Sequence, residues 1–177
     1  MTKETWIFAY GSLLWSPGFQ PAETIQARLR GYHRSFCMWS IHYRGTAAEP
    51  GLVLALDAGE GAFCDGLALR PHARDVPDVI EALRQRELIS SAYEERVLPI
   101  DLIDGRCVEA VAYVIRREHP QHACLCAEEQ ARIIAKASGL RGPNLDYLAN
   151  TAAHLRGLGI DDLEIEALLR RVQALAP

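Results

Sequence analysis

The chain has 177 residues, 19 Lys plus Arg against 23 Asp plus Glu, a formal net charge of −4, and 49% hydrophobic and 24% charged residues. These proportions exclude a disordered, collagen-like or coiled-coil chain and suit one globular domain spanning 1–177, large enough to bury a core without a metal or disulfide staple. The basic side chains are scattered in runs of two at most, which argues against a nucleic-acid partner, whose phosphates are met by clustered cations.

In chain order, Trp6–Tyr10 is a short apolar and aromatic run ended by Gly11-Ser12, the pattern of a buried strand entering a turn. It does not read as a secretory leader, since Lys3 and Glu4 cancel ahead of it, Tyr10, Gly11 and Ser12 interrupt it, and no small-residue cleavage site follows closely. Strands are expected at Ser35–Tyr43, at Leu52–Leu56 before a turn at Asp57-Ala58-Gly59, and at Phe63–Leu69. The period then changes. Asp75 is a candidate cap, Pro77 fits a first turn, and Val76, Val79, Ile80 and Leu83 follow helical spacing to about Leu88. Strands return at Tyr93–Leu98 and Val108–Ile115. Three helices close the chain, at Glu128–Ser138, at Asn144–Arg156, and from Asp161 with Ile165, Leu168, Leu169 and Val172 facing inward. Strands first and helices last make an α+β protein, and the pattern leaves a barrel and an open sheet equally possible. No apolar run reaches the length of a membrane span.

Cys37, Cys64, Cys107, Cys124 and Cys126 are odd in number and irregular in spacing. They read as reduced thiols of a cytoplasmic protein, packed mostly as small apolar side chains. His119, His122, Cys124 and Cys126 form a dense group of possible zinc ligands, but they lack the usual zinc spacings and read as a loop leading into the helix at Glu128. His33 and His42 read as structural hydrogen-bonders, and Glu94 and Glu95 as facing water.

Two features carry chemistry. Ile80, Leu83 and Glu87 are spaced i, i+3, i+7 and share a helix face that should meet the core. A carboxyl group among apolar neighbours is held protonated to higher pH, as proton-transfer sites require. On pattern alone the alternative stays open: the helix frays and Glu87 faces water, or pairs with Arg86 or Arg96. The second feature is Tyr10-Gly11-Ser12-Leu13, where a Gly-Ser turn after a buried strand presents backbone N–H groups suited to a carboxylate or an oxyanion. It is neither a phosphate loop nor a nucleophile elbow. Ser12 reads as a substrate contact or turn former. Arg44 is suited to a substrate carboxylate and equally to a plain loop role.

Together these segments resemble the ChaC-type γ-glutamylcyclotransferases. The resemblance runs through Phe8-Ala9-Tyr10-Gly11-Ser12-Leu13-Leu14-Trp15, Gly31-Tyr32-His33-Arg34-Ser35-Phe36, Tyr43-Arg44-Gly45-Thr46 and Pro50-Gly51-Leu52-Val53. It continues in Arg86-Glu87 with Tyr93, then Ser138-Gly139, Gly142-Pro143-Asn144 and Tyr147-Leu148. It implies a γ-glutamylcyclotransferase-like small mixed β-barrel or sheet flanked by helices. It also implies a lyase that cleaves reduced glutathione by intramolecular cyclisation to 5-oxoproline and cysteinylglycine. Glu87 would then be the acid and base, Tyr10–Leu13 would grip the γ-glutamyl group, and Tyr147 would stand near the substrate. No cofactor or metal is required, since the substrate brings its own nucleophile. The expected assembly is a monomer or weak dimer. Where relatives often carry glycine after Arg86-Glu87, this chain reads Leu88-Ile89-Ser90-Ser91, a departure that bears on substrate preference. The competing readings are a cyclotransferase for other γ-glutamyl amino acids or amines, a catalytically silent binding module of the same fold, and a zinc-binding interaction protein built on His119–Cys126.

Overall fold

The computed structural model describes residues 4–175. They sort into two compact units, residues 4–34 with 56–119 and residues 35–55 with 120–175.

The first unit holds a closed five-stranded barrel. Its strands are β1 (Trp6–Ala9), β2 (Pro21–Ser40), β3 (Gly51–Pro71), β4 (Tyr93–Leu102) and β5 (Cys107–Ile115), in the order β1-β3-β2-β4-β5. β5 closes the ring by running parallel to β1, with Trp6 opposite Ala110 and Ile7 opposite Val111. β1 pairs antiparallel with β3 in the register Ile7 to Leu69 and Phe8 to Ala68. β4 and β5 form a long antiparallel hairpin from Tyr93–Ile115 to Asp101–Cys107. Closure removes the exposed sheet edges that an open sheet of this size would present. Trp6, Ile7, Phe8, Leu29, Leu56, Ile100 and Tyr113 are fully buried, each contributing about 1.5–3 kcal/mol of transfer free energy where the side chain is apolar.

The strand expectations need two corrections. β2 begins at Pro21 rather than Ser35. Its first half is polar and interrupted, yet Ala27 and Leu29 are buried while Arg28 and Arg30 turn outward, the period of a half-solvated strand. β3 is one strand from Gly51 to Pro71, so no turn stands at Asp57-Ala58-Gly59. Gly31 in β2 and Gly61 in β3 both have positive φ, 82° and 72°, which lets long strands bend without ending.

After a 3₁₀ turn at Ala73–Asp75, helix α1 runs Val76–Glu87. Asp75 stands at its N-cap without a side-chain capping bond, and pairs with Arg74 instead. Val79 and Leu83, one turn apart, are the buried residues of this helix. Ile80, expected inside, is half-buried.

The second unit holds α2 (Ala127–Lys136), the two-residue strands β6 (Ser138–Gly139) and β7 (Gly142–Pro143), α3 (Asn144–Gly157) and α4 (Leu163–Leu175). α4 packs on α2 and α3. It buries Ile165, Leu168, Leu169 and Val172, the inward set expected from the spacing. Asp162, not Asp161, opens α4: its carboxylate accepts the Ile165 N–H at 3.1 Å. Cys126 occupies the N-cap of α2 in a reciprocal bond pair with Glu129. Of the five thiols, Cys37 and Cys64 are buried, whereas Cys107, Cys124 and Cys126 are exposed, so the expectation that most are packed inside holds for two.

Asn144 organises this unit. It is 0% exposed, accepts the Leu52 N–H at 2.7 Å and donates to the Leu52 carbonyl at 2.8 Å, serving β3 as a surrogate strand neighbour. The chain closes tightly around it. A Cβ on Gly51 would lie 2.6 Å from the Asn144 Oδ1, and one on Gly139 would lie 2.6 Å from the Gly45 nitrogen and the His42 carbonyl oxygen. The backbone N–H groups of Leu140 and Arg141 bond the carbonyls of His42 and Tyr43. The segments 43–46, 50–53, 138–139 and 142–144 that looked like separate motifs are thus one packed knot.

Candidate active site

In the first unit, β1 delivers the chain into a 3₁₀ turn at Ser12–Leu14. Leu14 and Trp15 donate their N–H groups to the carbonyls of Gly11 and Ser12 at 2.9 and 3.3 Å. A 3₁₀ turn has no internal acceptor for its first N–H groups, so those of Ser12 and Leu13 are not satisfied within the turn itself. The side chains of Tyr10 and Leu13 are buried. Tyr10 donates its hydroxyl to the Tyr113 carbonyl at 3.1 Å. Tyr10 and Leu13 thus anchor the loop through their side chains, while Ser12 is half-buried.

Two arginines hold the loop from outside it. Arg34, buried on β2, donates Nε to the Tyr10 carbonyl at 2.6 Å and Nη2 to the Asp65 carbonyl. Arg86, in the last turn of α1, donates Nη1 to the Ser16 carbonyl at 2.6 Å and Nη2 to the Ser12 hydroxyl oxygen at 2.7 Å. The sequence singled out neither for this role. Arg34 had a signal, because it alternates with Phe36 on the inward face of β2 and a buried cation needs partners. Arg86 was considered only as a neighbour for Glu87.

Glu87 ends α1, and the chain leaves the helix at Leu88, whose N–H bonds the Arg84 carbonyl. Its side chain is nevertheless only 16% exposed, with Oε1 3.2 Å from Arg86 Nε. Burial pushes its carboxyl above the ordinary glutamate range, and the Arg86 charge pulls against that rise. Arg96, the other partner considered for Glu87, pairs with Glu94 and Tyr32 instead. Glu95 does not face water freely. Arg84 grips it through two bonds at 2.8 and 2.7 Å, and it accepts the Tyr113 hydroxyl at 3.2 Å. The Arg84 bonds hold the Glu95 carboxyl below its usual range. Burial first, then Glu95 and the Glu87 charge, raise the Tyr113 phenol, which stays neutral at physiological pH. The first unit thus links a carboxyl group raised by burial to the Ser12 turn through Arg86.

The second unit brings Arg44 and Tyr147 together. The Arg44 guanidinium lies 5.6 Å from the centre of the Tyr147 ring, which meets Phe36 edge-on at 5.8 Å. Arg44 Nη1 donates to the Arg141 and Pro143 carbonyls at 2.8 and 3.1 Å. Part of its fork therefore clamps the loop before α3, and among the described residues Nε and Nη2 hold no acceptor. In the His119–Cys126 segment, the Ala123 N–H bonds the Cys37 carbonyl, Met38 and His122 form a β-bridge, and Cys126 is spent on its cap.

A small closed five-stranded barrel with accompanying helices is a fold this chain shares with solved γ-glutamyl cyclotransferases. A yeast γ-glutamyl cyclotransferase specific to glutathione shares this fold with a TM-score of 0.89, at 21% identity, over 99% of this chain and 98% of that one. The family model for ChaC-like proteins matches residues 5–175, and the chain belongs to that family. The chain is 37% identical over 171 residues to the glutathione-specific γ-glutamylcyclotransferase of Escherichia coli strain K12, covering 96% of this chain and 73% of that protein. It is 31% identical to γ-glutamylcyclotransferase 2-3 of Arabidopsis thaliana, over 95% of this chain and 88% of that one.

Proposed function

We propose that the protein is a lyase that cyclises the γ-glutamyl group of reduced glutathione, releasing 5-oxoproline and cysteinylglycine. The α-amine of the γ-glutamyl group attacks its own γ-carbonyl and closes a five-membered lactam. The bond that breaks is the amide to the cysteine nitrogen, which leaves as an amine. One proton moves from the attacking nitrogen to the leaving nitrogen, so atoms balance without a second substrate.

The supporting observation is the pairing of Glu87 with the Ser12 turn through one guanidinium. Glu87 is the group suited to carry the proton. An α-amine titrates near about 8, and a carboxyl group raised by burial is a better match to it than an exposed one. The N–H groups of Ser12 and Leu13, not satisfied within the turn, suit the oxyanion of the tetrahedral intermediate. Holding the γ-glutamyl chain bent, a task assigned to Tyr10–Leu13, supplies the orientation that at its limit lowers a barrier by about 7–11 kcal/mol. In the second unit, taken by itself, Arg44 and Tyr147 remain proposed substrate contacts, with Nε and Nη2 of Arg44 suited to a carboxylate. A cytoplasmic setting follows from the substrate and the free thiols, and no described helix is long and apolar enough to cross a membrane.

Incubation of the purified protein with reduced glutathione, followed by mass spectrometry, is expected to show 5-oxoproline and cysteinylglycine in equal amounts. Parallel reactions with γ-glutamyl-alanine and ε-(γ-glutamyl)-lysine test the substrate class. Turnover of either in preference to glutathione would replace glutathione as the substrate, and no product from any of the three would reject the cyclotransferase reading.

A further inference from the structure

The guanidinium of Arg86 is shared among three acceptors, two in a distant loop and one on the next residue. Nη1 reaches the carbonyl of Ser16, just past the 3₁₀ turn, and Nη2 reaches the hydroxyl of Ser12 at its start, across 70 and 74 residues of chain. Nε meets the carboxylate of Glu87 at 3.2 Å. Adjacent residues on a helix point in different directions and do not ordinarily pair. Here the helix ends at Glu87, and the arginine Nε meets the carboxylate while its Nη atoms reach the loop. The result is a planar fork with one edge on the loop and the other on the acid.

We infer that Arg86 is a positioning residue, which registers the Ser12–Ser16 loop against the carboxylate of Glu87 so that oxyanion donors and proton carrier stand at a fixed separation. This role rests on the cyclotransferase reading for its catalytic meaning. A lysine supplies the charge but not the fork, because an ammonium cannot hold three acceptors in one plane. A displacement of about 1 Å between groups acting on one reacting centre costs on the order of 100-fold in rate, so loose registration is expensive.

The same contact acts on the proton affinity of Glu87. Among the described residues, the titratable groups that interact with this carboxyl are Arg86 from its own helix and Tyr113 from β5, whose phenol is neutral. Behind Tyr113, Arg84 and Glu95 balance each other as a pair. Arg86 is thus the cation that opposes the burial of Glu87. Removing it leaves burial unopposed, and the carboxyl group holds its proton to still higher pH.

The test compares Arg86→Lys and Arg86→Gln with the unaltered protein. Arg86→Gln is expected to move the acid limb of kcat/KM for glutathione to higher pH, and a ¹³C NMR titration of the Glu87 carboxyl should move with it. Arg86→Lys is expected to leave that limb near its original place while kcat/KM falls about tenfold to 100-fold from lost registration. A side chain that merely supported the fold would lower both variants without moving the limb or the titration. An unmoved titration in Arg86→Gln, or unaltered kcat/KM in Arg86→Lys, overturns the inference. Should Arg86→Gln fail to fold, the kcat/KM of Arg86→Lys decides it. The NMR titration needs no turnover, so an unaltered protein inactive on every γ-glutamyl substrate would reject the functional reading and leave the Arg86–Glu87 coupling separately measured.

Discussion

Replacing Glu87 by glutamine separates its chemistry from its packing. The side chain keeps its volume and can still accept from Arg86, but it can no longer take a proton. Arg86 keeps its bonds to Ser12 and Ser16, so the loop stays in place. Glu95 is not a substitute base, because Arg84 holds it in two bonds and keeps its carboxyl below the usual range. A positioned acid and base is worth about 10²–10⁴ in rate, or about 3–5 kcal/mol, and Glu87→Gln should lose that much turnover of glutathione. Its stability should change in the opposite direction. Burial raises the carboxyl above its unfolded-state value, so the folded state binds the proton more tightly than the unfolded chain. The resulting stabilisation is fully present below the unfolded value of about 4.3 and is lost as pH rises through the folded-state value. Glutamine never ionises, so the variant should melt above the unaltered protein at pH 7–8, and the gap should close towards pH 4. Melting followed by circular dichroism across that range, with turnover measured at each pH, reads both effects. Turnover within tenfold of the unaltered protein would refute the proton-carrier role. A variant that melts lower at pH 8 than the unaltered protein, with equal melting at pH 4, would refute the burial argument.

Other substitutions probe the frame around the site. Asn144→Ala strands the Leu52 N–H and carbonyl in a dry interior, and at about 1–3 kcal/mol for each orphaned group it should cost about 2–6 kcal/mol in urea unfolding; a loss below 1 kcal/mol would mean that water reaches Leu52. Gly139→Ala places a methyl group 2.6 Å from the backbone of Gly45 and His42 and should cost about 1–3 kcal/mol, with unaltered melting counting against the tight knot. Ser91 holds a φ of 58°, and Ser91→Gly should relieve roughly 1 kcal/mol of left-handed strain and raise the melting temperature; a fall would show that the serine is favourably held there.

The segments legible in advance were those with a clean period. β1, α1, α3 and α4 appeared within a few residues of their expected bounds, because β1 is a continuous apolar run and the helices repeat apolar side chains at helical spacing. The first half of β2 was not legible, since only Ala27 and Leu29 are buried there among mostly polar and charged neighbours. The continuous β3 was read as two strands because Asp57, Gly59 and Gly61 look like a turn when no neighbouring strand is in view. At the candidate site, Glu87 stood out as an acid on an apolar face. Nothing local marked Arg86 as the residue joining it to Ser12, because the partners lie 70 and 74 residues away.

The amino-acid order alone determined the residue types, the alternation of periods that makes the protein α+β, and a chain of short motifs specific enough to indicate the family. Tertiary structure decided that the strands close into a ring, that the glycine-rich motifs of the second unit are one knot around Asn144, and that one arginine serves both the loop and the acid. The reason is physical. Periodicity reports which face of an element is apolar, whereas a hydrogen bond between distant segments depends on a separation in space that no local pattern encodes.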